Sequence, residues 1–445
     1  MKKSILTFFF LVMFPFLSQS QSIYFPPIGS DNWDTVPIAQ LGWDESKIEP
    51  LLDFLNQKNT KAFILLKDGK IVIEKYFDSF TKDSIWYWAS AAKTLTAAIV
   101  GIAQEEGFLS INDKTSKYLG IGWTSCPQEK EDLITIRHQL TMTTGLDYQV
   151  EDIYCTDPQC LKYRADAGTQ WYYHNAPYTL LRNVVEKATG INYNSYFFQK
   201  IGNQVGMNGF WINKNYNNVY YSNARSLARY GILIANNGFW EDKNIIKDKE
   251  YLNQMINTSQ ELNKSYGYLW WLNGKESFVL PGKTRVFNGS AMPDAPSDMY
   301  AALGKDGQIL NVVPSKSIIL VRMGERPDDQ LFISNIFNNE IWKFLNELID
   351  GKTNVNEEKI NFIFSQNLES EYIEIVMLNK GARSTVQENQ IQIYNSLGIC
   401  VTNTPSLLRN ATPLREGNVR INVSHLPSGV YFVRVGGWTQ MFLKI

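Results

Sequence analysis

The spacing of apolar and polar residues predicts two helices near the ends of the first 350 residues. Apolar side chains recur at helical spacing in Asp44–Leu55 and again in Asp329–Ile349. Between them lie five runs typical of β-strands, at Ala62–Lys67, Ile71–Phe77, Met299–Leu303, Gln308–Val313 and Ile318–Arg322. Strands at both ends of a domain, with helices between, predict an α+β fold with one antiparallel sheet closed by its own termini.

Two further features complete the prediction for this main domain. Asp68-Gly69 lies between the first two strand-like runs and is a strong hairpin signal. The stretch from Leu109 to about Trp271 is mostly helical and rich in loops, which predicts a helical lobe beside the sheet. The terminal helices are expected to cover a face of the sheet, and an active site is expected where sheet and lobe meet.

The composition changes at Gly351–Glu358, a polar stretch that predicts a linker. Short alternating runs follow, at Tyr372–Leu378, Gln390–Tyr394, Val419–Val423, Gly429–Val435 and Met441–Ile445. Their regular spacing and the turn residues between them predict a small β-sandwich. The predicted organisation is a signal peptide at 1–20, a main domain at 21–350, a linker at 351–359 and the sandwich at 360–445.

The first twenty residues have the pattern of a secretory signal peptide. Lys2 and Lys3 precede the apolar run Ile5–Leu17, and small residues follow at alternate positions. The run is short for a membrane-spanning helix and is interrupted by Pro15. The alternative is a retained N-terminal anchor. We therefore expect an exported protein.

Charge and cysteine content narrow the class of partner. A net charge of −1, with no basic run, argues against nucleic acid or an anionic membrane as the main partner. Export makes disulfides possible for the four cysteines, which allow three pairings, and Cys155 and Cys160 are close enough in sequence to staple a loop. Cys400 lies in the other domain and is expected to be a buried free thiol. With three scattered histidines, neither a metal site nor a cofactor is expected.

A Ser-x-x-Lys motif is the strongest chemical signal in the chain. Ser90 and Lys93 stand one turn apart on the same face, at the start of the apolar run Leu95–Ile102. The first backbone N–H groups of a helix are free to hold an oxyanion. Ser79 opens a second Ser-x-x-Lys ending at Lys82, but it lies in a polar stretch with no apolar period after it. The context therefore selects Ser90 as the candidate nucleophile.

A serine nucleophile needs a base, and the chain offers two kinds. Only His138 and His174 lie outside the tail, and no Gly-x-Ser-x-Gly elbow is present, so a Ser-His-Asp triad would depend wholly on fold geometry. Lys93 is the alternative base, since burial among apolar residues lowers a lysine pKa. A solvent-facing charge is the other interpretation of Lys93.

Two more segments give the motif its context. Tyr173 and Asn175 form a Tyr-x-Asn triplet just before the helical run Tyr178–Ala188, and Ile136–Leu146 precedes it. In this order the segments resemble the serine β-lactamase-related family, which includes class C β-lactamases, D-Ala-D-Ala peptidases, related esterases and 6-aminohexanoate-dimer hydrolase. The resemblance extends over roughly Ala39 to Leu348 and also includes Asn223–Gly231 and Tyr266–Trp271.

This resemblance implies a role for each motif residue. Ser90 would be the nucleophile and Lys93 its proton partner. Tyr173 would be the second general base and then the acid for the leaving group, while Asn175 would align the substrate.

The third family motif, Lys-Thr-Gly, is missing. Counting back from Pro314 places Met299-Tyr300-Ala301 at its position, so Tyr300 would contact the substrate there. A backbone N–H near Ala302 or Leu303 should complete the oxyanion hole with that of Ser90. Without the lysine a β-lactam carboxylate loses its usual cation, and the following Gly-x-x-Gly-Gln resembles the branch that hydrolyses amides and esters.

The tail has a resemblance of its own. Ile393–Gly398, Ile421–Val435 and Phe442–Ile445 are similar to the type A C-terminal sorting domain of the type IX secretion system. That similarity implies contact with the outer-membrane secretion machinery, transfer to the cell surface or medium, and often removal of the tail. A carbohydrate-binding sandwich is the alternative.

The combined hypothesis is a secreted, cofactor-free serine hydrolase that forms an acyl-enzyme with a small ester or amide. Two alternatives remain open. One is a penicillin-binding, β-lactamase or D-amino-acid peptidase activity. The other is a catalytically silent surface protein with the same fold.

Overall fold

The structure is a computed structural model that describes residues 23–327 and 334–350 and much of the tail. The described tail segments are 362–366, 372–377, 391–395, 400–402, 413–414, 418–435 and 438–444. The predicted signal peptide and linker lie outside these residues, and the four predicted domain boundaries stay predictions. None of the helices within the described ranges has the length and apolar character needed to cross a bilayer.

The main domain contains thirteen strands among the described residues. They are β1 (Thr60–Lys67), β2 (Lys70–Tyr76), β3 (Trp86–Tyr87), β4 (Phe210–Lys214), β5 (Asn217–Ser222), β6 (Phe239–Trp240), β7 (Lys243–Asn244), β8 (Trp271–Leu272), β9 (Ser277–Val279), β10 (Val286–Asn288), β11 (Tyr300–Leu303), β12 (Ile309–Val313) and β13 (Ile318–Gly324). Six of them form one antiparallel sheet in the order β2-β1-β13-β12-β11-β8. A smaller sheet has the order β3-β5-β4.

Thirteen α-helices accompany these strands in the described part of the chain. They are α1 (Ile38–Leu41), α2 (Ile48–Gln57), α3 (Lys93–Glu105), α4 (Ser116–Leu119), α5 (Gln128–Glu131), α6 (Ile136–Leu140), α7 (Asn175–Thr179), α8 (Leu181–Thr189), α9 (Tyr193–Phe197), α10 (Asn203–Val205), α11 (Ala224–Ala235), α12 (Lys249–Met255) and α13 (Ser334–Ile349).

The main sheet is closed by the two ends of the domain, as predicted. The β1 strand pairs with β2 on one side and with β13 on the other. Its residues Ala62–Leu66 are fully buried, because helices cover both faces of the sheet. On one face α2 packs against α13, where the rings of Phe54 and Phe344 stack 4.5 Å apart. This confirms that the terminal helices cover a face.

The opposite face of the sheet is covered by α11. Gly231 permits the close approach, since a Cβ there would lie 2.7 Å from Ile319 and 2.8 Å from Leu310 on the sheet. The α3 helix lies between this layer and the helical lobe, and eleven of its residues are buried. A helix that is buried all round belongs to a core, which explains why its run is apolar on every side.

The tail forms two four-stranded sheets, as the β-sandwich prediction requires. Their strands are β14 (Phe362–Gln366), β15 (Tyr372–Met377), β16 (Ile391–Asn395), β17 (Cys400–Thr402), β18 (Pro413–Leu414), β19 (Asn418–Asn422), β20 (Gly429–Val435) and β21 (Trp438–Lys444). The sheet orders are β14-β15-β19-β18 and β17-β16-β20-β21. The five predicted runs correspond to β15, β16, β19, β20 and β21.

One of the possible disulfides forms in the structure. Cys155 and Cys160 are bonded, and they staple a loop of the helical lobe. Cys126 is a half-buried free thiol whose pKa is raised by burial. The side chain of Cys400 lies outside the described residues, so its state stays a prediction.

Candidate active site

The chain reaches the candidate nucleophile through a strained turn. Ala89 follows β3 by two residues and has a φ of 47°, in the left-handed region that non-glycine residues rarely adopt. A 3-10 turn over Ala89–Ala92 then leads into α3 at Lys93. Ser90 therefore lies in the first turn, where backbone N–H groups have no helical acceptor. The apolar pattern gave no signal for the conformation of Ala89.

Lys93 is buried against Ser90 rather than exposed to solvent. Its Nζ lies 3.0 Å from Ser90 Oγ and donates to Asn175 Oδ1 at 2.8 Å. Burial lowers the pKa of Lys93 from 10.5 to about 7. The Tyr178 ring, with its centroid 4.1 Å from Nζ, favours the charged form and opposes that shift. An amine with a pKa near neutrality can take a proton at physiological pH.

Tyr173 completes the contacts around the hydroxyl. Its phenol is buried, which raises its pKa well above the usual value, and a side-chain hydrogen bond with Ser90 opposes that rise. The Tyr173 ring stacks on Trp271 with centroids 5.8 Å apart and meets Tyr266 edge-on at 6.2 Å. These aromatic contacts fix the ring, and the high pKa keeps the phenol protonated.

Asn175 is the first residue of α7, and its oxygen accepts from Lys93. The structure therefore brings together Ser90, Lys93, Tyr173 and Asn175, although α7 is far from α3 in sequence. With Oδ1 engaged, the Nδ2 group of Asn175 is the part of the amide left to face a substrate.

The β11 strand carries the remaining candidates. Toward β12, Gly304 N donates to the carbonyl of Gln308, just before that strand, at 2.7 Å. On the other side of β11, Asn273 N, just after β8, donates to Met299 O at 2.9 Å. Because N–H groups alternate between the two sides of a strand, that of Leu303 points away from β12, beyond the end of β8. The N–H of Ala302 points toward β12. The register thus favours Leu303 over Ala302 as the backbone donor.

Tyr300 is packed in the hydrophobic core of the domain. Its ring is buried and packs edge-on against Trp270 with centroids 5.3 Å apart. Among the described residues it forms no hydrogen bond with Ser90, Lys93 or Tyr173, so a contact of Tyr300 with substrate remains a prediction.

Gly304 allows the end of β11 to reach the nucleophile turn. A Cβ at this position would lie 2.5 Å from Trp88 O and 3.1 Å from Ala91 N. Both of these atoms are backbone atoms next to Ser90. A side chain at Gly304 would therefore push Leu303 away from the hydroxyl.

We expect Gly304→Ala to lower the acylation rate and to destabilise the fold by about 1–3 kcal/mol, because the added methyl group overpacks a backbone contact. Acylation kinetics and urea unfolding measure the two effects. Gly429→Ala, in the tail, is the control, since its φ is not in the left-handed region and a Cβ there would meet only the Tyr431 side chain, at an ordinary contact distance of 3.6 Å. Wild-type acylation by Gly304→Ala would contradict the close approach.

Neither histidine of the main domain joins the site. His138 caps α6, where Thr135 N donates to its Nδ1 at 3.1 Å. His174 is buried between the two motif residues, and burial lowers its pKa to about 4. Neither ring nitrogen of His174 has a hydrogen-bond partner within the described part of the chain. A Ser-His-Asp triad with Ser90 is therefore not formed, and no group of three His, Cys, Asp or Glu there could hold a metal.

Two family models match the chain. The first, described as Beta-lactamase, matches residues 56–332. The second, described as Secretion system C-terminal sorting domain, matches residues 367–444. The first model covers most of the main domain and the second covers most of the tail, as the two sequence resemblances predicted.

The curated relatives are distant. An uncharacterized protein of Alkalihalophilus pseudofirmus is 24% identical over 60% of this chain and 87% of its own length. Penicillin-binding protein 4* of Bacillus subtilis (strain 168) is 28% identical over 28% of this chain and 30% of its own. Beta-lactamase of Escherichia coli (strain K12) is 26% identical over 30% of this chain and 36% of its own. The chain thus matches about a third of the length of the last two relatives.

Solved structures show the same fold at low identity. A putative 6-aminohexanoate-dimer hydrolase from Bacillus anthracis has a TM-score of 0.53 and 18% identity, covering 74% of this chain and 89% of the other. A putative beta-lactamase from Bacteroides dorei DSM 17855 has a TM-score of 0.55 and 16% identity, covering 69% of this chain and 99% of the other. At such identities the likeness concerns the fold alone.

Proposed function

This chain belongs to the Beta-lactamase family over residues 56–332, and on that premise we propose that it forms an acyl-enzyme on Ser90 with a small ester or amide. Members of the family are serine hydrolases. The observation that carries the proposal is the buried Lys93 amine, 3.0 Å from Ser90 Oγ, with a pKa lowered to about 7. Tyr173 also contacts the hydroxyl, but its raised pKa keeps the phenol protonated, so Lys93 is the proposed base among the described residues.

Acylation begins when the neutral Lys93 amine takes the proton of Ser90. The oxygen then attacks the substrate carbonyl, and the N–H groups of Ser90 and Leu303 hold the oxyanion. Tyr173, protonated and in contact with Ser90, gives its proton to the leaving group. It then receives from Lys93 the proton that the amine took from Ser90. Water replaces the leaving group in the second half of the cycle, and the proton transfers run in reverse.

The substrate is proposed to be an ester or amide without the carboxylate of a β-lactam. Met299, at the position of the missing family lysine, is buried and uncharged. Penicillin binding is the second candidate function, favoured by the two named curated relatives. A catalytically silent protein is the third.

The tail indicates secretion to the cell surface or the extracellular space, since it is a secretion system sorting domain. We propose that the type IX machinery in the outer membrane is its partner, after export by a signal peptide at residues 1–20.

A fluorophosphonate probe tests the proposed nucleophile. The wild-type protein is expected to be labelled at Ser90, and Ser90→Ala to lose the label because the reacting oxygen is gone. Ser79→Ala, in the second Ser-x-x-Lys, is the matched control and should label normally. Peptide mass spectrometry locates the adduct.

Fluorescent penicillin and nitrocefin then separate the candidates. Turnover of p-nitrophenyl esters with little penicillin labelling supports the ester or amide proposal. A penicillin adduct on Ser90 supports the second candidate, and an unlabelled wild-type protein supports the silent one.

A further inference from the structure

Two helices meet beside the candidate nucleophile through residues that are one turn apart. Lys93 and Thr96 are three positions apart on α3, so they lie on one face of that helix. Asn175 and Tyr178 have the same spacing on α7. Asn175 Oδ1 accepts from the Lys93 amine at 2.8 Å, and the amine lies over the Tyr178 ring, 4.1 Å from its centroid. The amine therefore contacts both an amide oxygen and the face of an aromatic ring.

The contacts of Tyr178 fix the position of its ring. The side chain is buried, and its hydroxyl lies 3.5 Å from Thr96 Oγ1. That oxygen lies 2.8 Å from the hydroxyl of Tyr193. The backbone of α7 is anchored by Gln139, whose Nε2 donates to Pro177 O at 2.7 Å. The ring can leave the amine only by breaking these buried contacts.

Among the described residues, the hydrogen-bonding and ring contacts of the Lys93 amine are all with neutral groups. These groups are Ser90, Asn175 and the phenols of Tyr173 and Tyr178, and burial keeps both phenols protonated because it raises their pKa. The Asn175 oxygen accepts a hydrogen bond from either form of the amine. The negative face of an aromatic ring attracts the ammonium ion far more than the neutral amine. Tyr178 is the nearer ring, since the Tyr173 centroid lies 5.3 Å from Nζ.

The ring and the burial act on the Lys93 proton in opposite directions. Burial favours the neutral amine, whereas the ring face favours the ammonium ion. A general base is most effective when its pKa lies near the working pH. A lower pKa makes the base a weaker proton acceptor, and a higher one leaves it charged. A buried lysine that serves as a base therefore needs a group that limits the effect of burial.

We propose that Tyr178 is a positioning residue of the active site and acts through Lys93: its ring face stabilises the ammonium ion and so sets the pH above which the amine is free to take the Ser90 proton. The inference rests on the proposed function, since it takes Lys93 as the base. Weakening the negative face of the ring is expected to free the amine at lower pH.

Fluorination tests this role, because it withdraws electron density from the ring face with little change in ring volume. The acylation rate with a fluorophosphonate is measured against pH for Tyr178→Phe, and for proteins with difluorophenylalanine or pentafluorophenylalanine in place of Tyr178. Tyr178→Phe keeps the ring face and should keep the wild-type midpoint near pH 7. The midpoint should fall progressively with fluorination, by about 0.5–1.5 pH units for pentafluorophenylalanine.

Pentafluorophenylalanine in place of Tyr251 is the matched control. The Tyr251 ring is also buried against α3, beside Gly101, and its hydroxyl donates to Ala97 O at 2.8 Å. This control should keep the wild-type midpoint. Circular dichroism checks each fold, and the difluoro protein provides the comparison where the pentafluoro protein is unfolded. An unchanged or higher midpoint in the fluorinated Tyr178 proteins, or an equal fall in Tyr178→Phe or in the control, overturns the role of the ring face.

Nuclear magnetic resonance of carbon-13-labelled lysine follows the same proton without turnover. The Lys93 signal is the one that Lys93→Met lacks, and its titration midpoint should fall with fluorination of residue 178 as the midpoint of the rate does. If Ser90 is acylated and neither midpoint moves, the role of Tyr178 is wrong and the proposed function stands. If the wild-type protein is not acylated, the proposed function fails. The lysine signal then decides on the ring: a lower midpoint supports its effect on the amine, and an unchanged one overturns it.

Discussion

Lys93→Ala is expected to lower the acylation rate of Ser90 by about 10²–10⁴-fold, because the variant lacks the neutral amine that is proposed to take the proton of the hydroxyl. Covalent labelling kinetics with a fluorophosphonate, followed at pH 8, measure this rate directly. The matched control is Lys82→Ala, in the second Ser-x-x-Lys, where the lysine pairs with Asp31 at the surface. That control is expected to label at the wild-type rate.

The same lysine predicts the pH dependence. With its pKa lowered to about 7, the amine is protonated and inactive as a base below pH 7, and it becomes free as the pH rises. Acylation should therefore rise through pH 7 and level off above it. In Lys93→Ala the residual rate should lack this step. A wild-type rate that is flat between pH 5.5 and 8.5 would mean that another group takes the proton.

The burial of Lys93 also makes the free energy of unfolding depend on pH. The unfolded chain holds this proton up to about pH 10.5, whereas the folded protein releases it near pH 7. Between these values the unfolded state binds more protons, so the free energy of unfolding gains a rising contribution with pH. Urea unfolding of Lys93→Met should lack that contribution.

Tyr173→Phe is the second large effect, and it should depend on the leaving group. A p-nitrophenolate leaves without a proton, whereas an amide nitrogen needs one from an acid. We expect turnover of an anilide to fall by about 10³-fold and that of the corresponding p-nitrophenyl ester by a smaller factor of at least about tenfold. Steady-state kinetics on the matched pair of substrates measure both losses.

Tyr172→Phe is the control for this variant. Tyr172 is the neighbouring residue, and its ring stacks on Tyr148 with centroids 3.8 Å apart, outside the contacts of Ser90. It should leave both rates near wild type. Normal ester and anilide turnover by Tyr173→Phe would remove the phenol from the mechanism.

The predicted and unpredicted parts of the fold differ in length and in sequence range. The strands of the main sheet were predictable because β1, β12 and β13 are apolar runs of five to eight residues. The small sheet was not predicted, because β3 has two residues and its partner β5 lies more than 130 positions later. Such a strand is defined by its partner and leaves little local pattern.

The candidate site also has a part that the sequence predicted and a part that it did not. Ser90 and Lys93 were identified from a local spacing and from the all-round apolar helix that follows them, which also explains the burial of the amine. The choice between Ala302 and Leu303 needed the pairing register, because one residue reverses the direction of the N–H group. The burial of His174 could not be predicted from the sequence, because its two neighbours in the motif do not determine which way its side chain points.

The closure of the main sheet has a consequence for biogenesis. Strand β1 is joined on one side to β13, and Ala62 pairs with Met323, about 260 residues later. The nascent polypeptide therefore cannot assemble its central ladder until almost the whole domain has been synthesised, since long-range pairing must await both partners. This delay is expected to keep the polypeptide unfolded until synthesis is nearly complete, which would favour the export proposed above.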